Sequence, residues 1–113
     1  MALSALALVF VFALNGQDTK MSSDISDKAA KVTEQMATDL NLTDIQVERV
    51  KGLNMSLFKN KDEIVNSGMP VDQQQEKFNY FVERHEQTLK QVLSEEQYEK
   101  FKSKYSDMLE IKK

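Results

Sequence analysis

The sequence predicts an all-α fold, four helices in a single domain with a long antiparallel hairpin at its centre. Three observations carry this. Apolar residues recur at spacings of three and four, and no stretch alternates with period two for more than a few residues. Only three Gly and one Pro interrupt 113 residues, so long helices are allowed. The one clear turn, "NSGMP" at 66–70, lies between two long periodic stretches. A chain of this length supports one modest core.

Taken in order, residues 2–14, "ALSALALVFVFAL", carry no charge. The run is short of the ~20 residues of a membrane span and suits the apolar region of a secretory signal peptide, although no Lys or Arg precedes it. The expectation is a signal peptide over 1–16, cleaved near Gly16, and hence export to a periplasm. Residues 17–24, "QDTKMSSD", are polar and read as a flexible lead-in to a helical domain over 25–113. A first helix follows from the stripe Ile25, Ala29, Val32, Met36 and Leu40, and Asn41 breaks it. The second helix places Val50, Leu53, Leu57 and Ile64 on one stripe, with Val47, Phe58 and Val65 beside it and Met55 off both, a broad apolar arc. After the turn, Asp72 and Gln75 are spaced to cap the third helix, whose stripe is Phe78, Phe81, Val82, His85, Leu89 and Val92. A fourth helix carries Tyr98, Phe101, Tyr105, Met108 and Leu109 on one side, and the closing "EIKK" is expected to fray.

The second and fourth helices open with the same phrase, "LTDIQ" at 42–46 and "LSEEQ" at 93–97. With Thr43 as N-cap, its hydroxyl accepts from the N–H of Gln46 while the Gln46 side chain returns to the N–H of Thr43, a capping box. Leu42 and Val47 are placed as a hydrophobic staple, and Asp44 favours the positive end of the helix dipole. Ser94, Gln97, Leu93, Tyr98 and the Glu95–Glu96 pair repeat each part. The phrase is a complete instruction to start a helix, worth about 1 kcal/mol per cap.

Composition excludes much chemistry. There is no cysteine, so there is no disulfide, thiolate metal site, cysteine nucleophile or lipid-modified N-terminal Cys to anchor the chain. His85 is the single histidine and lies on an apolar stripe, where a structural role is expected. No Gly-rich phosphate loop or nucleophile motif is present, so no catalytic residue, metal site or cofactor is expected. The net charge of −3 and pI near 5.2 argue against nucleic acid. Charge is blocked, with 17–48 and 71–99 acidic and 49–70 and 100–113 basic. On the second helix, lysines mix with apolar groups at Met55, Leu57, Phe58, Lys59 and Lys61, a composition able to hold unfolded chains.

The paired phrase, Leu42-Thr43-x-x-Gln46 and Leu93-Ser94-x-x-Gln97, in a small all-α chain with a signal-like start resembles the Spy/CpxP family of periplasmic proteins, named for its LTxxQ motif. The likeness in layout covers about 25–109. The resemblance implies a helical hairpin that dimerises antiparallel into a curved cradle and binds partly unfolded proteins without ATP. It also implies two other possibilities, an accessory regulator bound to one envelope-stress sensor-kinase domain and a metal-responsive envelope protein.

Overall fold

The computed structural model describes residues 16–111, with side chains from Asp24 onward. The expected signal peptide over 1–16 lies outside these residues except for Gly16. Helix α1 runs Gly16–Leu40, α2 Asp44–Val65, α3 Val71–Val92 and α4 Glu95–Tyr105, followed by a 3-10 turn at Ser106–Leu109. No strand occurs among the described residues, so the all-α expectation holds.

Helix α1 begins well before Ile25, so residues 17–24 form its opening turns rather than a separate lead-in. Nothing in "QDTKMSSD" breaks a helix, since it contains neither Gly nor Pro. Ala29, Met36 and Leu40 are buried as the stripe requires, and Thr33 joins them at 2% exposure. Its hydroxyl donates to the Ala29 carbonyl at 2.6 Å, so a buried polar group is satisfied within its own helix. The helix ends on Asn41 at φ 55°, with the Leu42 N–H closing on the Ala37 carbonyl at 3.1 Å. That is a Schellman end, and asparagine tolerates the left-handed residue it needs.

Helices α2 and α3 have 22 residues each and pack in opposite senses. Asn54 meets His85, and two turns further along α2 Lys61 lies over Phe78, which is two turns earlier on α3. Between them Gly68 takes φ 85°, Ser67 Oγ donates to the Ile64 carbonyl at 2.6 Å, and Gln74 Nε2 donates to the Met69 carbonyl at 2.8 Å. The expected Asp72–Gln75 cap does not form. Pro70 is the N-cap, with no side-chain cap bond, and Asp72 falls inside the first turn. Proline's restricted φ suits a helix start and sets it two residues early. Gln75 instead accepts from the Ile111 N–H at 2.7 Å. Ile111 is 8% exposed, so the chain is held down as far as that residue and does not fray at Glu110 and Ile111.

Two apolar clusters result. One joins Met36 and Leu40 of α1, Val50 of α2, Leu89 of α3, Leu93, and Tyr98 and Phe101 of α4. The other joins Leu57 and Ile64 of α2 to Phe78, Val82 and Ile111. Burial of each such side chain contributes roughly 1.5–3 kcal/mol. Along α2 and α3 alike, one polar residue stands at the boundary between the clusters, Asn54 on the first and His85 on the second, both buried.

Candidate functional site

The two phrases form their capping boxes and also meet each other. Gln46 N–H donates to Thr43 Oγ1 at 3.2 Å and Thr43 N–H to Gln46 Oε1 at 2.9 Å. The same pair of bonds, at 3.2 and 2.9 Å, joins Gln97 to Ser94. The glutamine amides then face one another, with Gln46 Nε2 to Gln97 Oε1 at 2.8 Å and Gln97 Nε2 to Gln46 Oε1 at 3.2 Å. Each also reaches the end of the helix that precedes the other phrase. Gln46 Nε2 donates to the Val92 carbonyl at 3.0 Å, and Gln97 Nε2 to the Leu40 carbonyl at 3.1 Å. An amide has two donor protons and two acceptor lone pairs, and here each glutamine uses all four.

One pair of side chains therefore starts α2 and α4 and ends α1 and α3. Leu93 and Tyr98 are buried in the neighbouring cluster, with Leu42 packed against it and Val47 half-buried. Tyr105 adds a second tie between α4 and α1, its hydroxyl donating to Asp39 Oδ2 at 2.5 Å, with Lys104 Nζ 3.6 Å from Asp39 Oδ1. Burial and this carboxylate push the Tyr105 phenol up to about 12, while the bond from Tyr105 draws Asp39 below its usual range. The two glutamine amides have no valence left for a ligand.

The second polar group crosses the bundle between the two clusters. Asn54 Nδ2 donates to Thr33 Oγ1 at 3.0 Å and approaches Met36 Sδ at 3.4 Å, while Asn54 Oδ1 lies 3.2 Å from His85 Nε2. The His85 ring centroid is 6.0 Å from that of Phe101. All four helices thus meet at this level. Asn54 spends its protons on α1, so its oxygen needs a proton from His85, which makes the ring the Nε2–H tautomer. Nδ1 is buried with no hydrogen-bond partner among the described residues. Desolvation lowers the imidazole to about 4, so it is neutral at physiological pH.

The five residues expected to contact unfolded chains do not share one face. Met55 is 37% exposed, Lys59 exposed and Phe58 half-buried. Leu57 is 2% exposed and belongs to the second cluster, which removes it from any contact surface. It sits three residues after Asn54 and seven before Ile64, on the side of α2 turned to α3. Lys61 is half-buried on that same side, its ammonium 5.7 Å from the Phe78 ring centroid. Met55 and Lys59 instead line an open recess of about 500 Å³ between α1 and α2, together with Ile25, Gly52 and Ser56.

Sequence reasoning missed Thr33, Asn54 and the contact between the two glutamines. The signal for Asn54 was its register, four residues after Val50 and three before Leu57, an inward position whatever the side chain. Among the described residues no three His, Cys, Asp or Glu side chains converge as a metal-binding set, and no helix is long and apolar enough to cross a membrane. Neither a family model, nor a curated protein, nor a solved structure matches the chain.

Proposed function

We propose that this protein is an exported, ATP-independent chaperone of the Spy/CpxP kind, a homodimer that holds partly unfolded proteins in the periplasm. The reading is supported chiefly by the recess between α1 and α2. Ile25 and Met55 offer an apolar floor, Lys59 supplies a cation on a flexible stem, and Asp62 and Glu63 close one end. Methionine adapts to apolar partners of varied shape, and a lysine stem covers apolar surface while its charge stays in water. Such a surface is weak and unselective, which suits clients that have no fixed shape. The chemistry is binding alone, with no catalytic group and no cofactor.

Light scattering of two unrelated aggregating clients, without ATP and at varied salt, tests this. Suppression of both is expected, reduced by Met55→Ser and by Lys59→Ser, and weakened at high salt because the Lys59 contribution is screened. Suppression of neither client rejects the chaperone reading and moves the function to a single dedicated partner such as a sensor-kinase domain.

A further inference from the structure

The segment that follows α4 is seated on α3 in an unusual way. After the 3-10 turn at Ser106–Leu109 the backbone becomes extended, with Glu110 at φ −125° and ψ 147°. In extended chain, residues two apart face the same side. Leu109 packs against the apolar clusters and Ile111 is buried in the second of them, with Phe78 and Val82, while Glu110 between them is exposed. The Ile111 N–H is then taken up by a side chain of α3, Gln75 Oε1, at 2.7 Å. Gln75 is held for this by its own neighbour one turn on, since its Nε2 donates to Asn79 Oδ1 at 2.8 Å. Beside the segment an open recess of about 570 Å³ continues, lined by Val71, Asp72, Gln75 and Asn79 of α3 and by residues 109–111. Val71 is 39% exposed there, so an apolar wall extends past the space that Ile111 fills.

These contacts read an extended apolar-x-apolar segment and nothing more particular. A side-chain amide that accepts a backbone N–H is indifferent to which side chain follows, because every residue but proline offers that donor. The apolar contacts ask only for two apolar groups on one side of an extended backbone. The backbone N–H of Glu110 closes on the Asp107 carbonyl within the turn, so none of the four helices depends on residues 110–111 for a backbone bond. Another chain of the same pattern can therefore take their place without dismantling the bundle. We propose that this groove on α3 binds an extended apolar-x-apolar segment of an unfolded polypeptide, with residues 109–111 as its resident, displaceable occupant. The proposal rests on the chaperone reading for the identity of the incoming chain, and it adds to the α1–α2 recess a second contact that the protein covers with its own segment.

The test uses the whole protein and a fluorescein-labelled, end-capped peptide that carries Val-x-Leu and is otherwise unrelated to the segment. A tethered occupant competes at an effective concentration of about millimolar, so Ile111→Ser, which weakens it, should tighten the peptide about tenfold in fluorescence anisotropy. The same peptide methylated on its leucine nitrogen has no N–H for Gln75 and should lose that gain, as should a Ser-x-Ser peptide. Gln75 is half-buried, and Gln75→Met with Ile111 intact should make the methylated and unmethylated peptides equal. With ¹⁵N-labelled unsubstituted protein, saturating peptide should move the Ile111 amide resonance to its position in an unstructured chain. No peptide binding, equal binding of the two peptides to the protein with Gln75 in place, or an unmoved Ile111 resonance each overturns the proposal. So does dimerisation that depends on Ile111 without any peptide binding, which would give the groove to a second copy of this chain. Peptide binding with no suppression of aggregation would reject the chaperone reading and leave this site standing.

Discussion

The molecule has two polar clusters that each tie several helices together, and they are built to opposite rules. At the corner, Gln46 and Gln97 sit half-buried with every donor and acceptor matched. In the middle, Thr33, Asn54 and His85 are buried more deeply, yet one lone pair, on His85 Nδ1, is left unmatched. A closed network fixes geometry, because replacing any member orphans several others. An open one leaves a buried acceptor unsatisfied, at the cost of its desolvation. The contrast marks the corner as a lock and the middle as the place where chemistry remains unspent.

The largest expected effect tests the open cluster by pH. The folded imidazole titrates near 4 and the free side chain near 6.5, so the unfolded state binds the extra proton between them. Its contribution is complete above pH 6.5 and is lost as pH falls toward 4, up to about 3 kcal/mol from a shift of this size. Urea melts across that window should show the slope, and His85→Phe should flatten it. An identical slope in the variant would break the contrast, because the open cluster would then carry no proton linkage.

Next, Gln46→Glu replaces two donors by a carboxylate that faces the Val92 carbonyl and Gln97 Oε1. Half-buried acceptors set against acceptors cost about 2 kcal/mol, read as a lower midpoint in urea. A midpoint unchanged at neutral pH would show that the corner is not closed. A smaller effect sharpens the point. In a double-mutant cycle of Gln46→Ala and Gln97→Ala, a coupling of about 1 kcal/mol is expected, where two independent caps would simply add. Smallest of all, Thr43→Ala and Ser94→Ala should each lower stability by about 0.5–1 kcal/mol, leaving aggregation suppression per folded molecule unchanged. Loss of suppression without loss of stability would make the phrases a binding site.

Much of this was legible because it is local. A capping box spans three residues, so Thr43 with Gln46 and Ser94 with Gln97 announce themselves in the sequence. The stripes of α1, α3 and α4 follow from spacing, and Met36, Phe78, Leu89 and Phe101 are buried as that spacing requires. Asp72 and Gln75 have the same spacing as a true cap and fail, because Pro70 two residues earlier already starts the helix. Leu57 was legible as apolar, but its use was not. Only the position of α3 decides whether an apolar residue on α2 faces a neighbour or water. The same holds in reverse for Asn54, a polar residue whose inward register outweighed its chemistry.

By itself, then, the sequence determined the number of helices, where two of them start, which turn joins the long pair and which stripes are apolar. These depend on backbone geometry and on contacts three or four residues apart. The tertiary structure alone decided that the two glutamines, 51 residues apart, would pair, that Asn54 would satisfy His85 on one side only, and that Met55 and Leu57 would part company. The physical reason is that hydrogen-bond valence is a property of neighbours. A glutamine's side chain carries the same four valences in every sequence, and only packing brings it the groups that fill them.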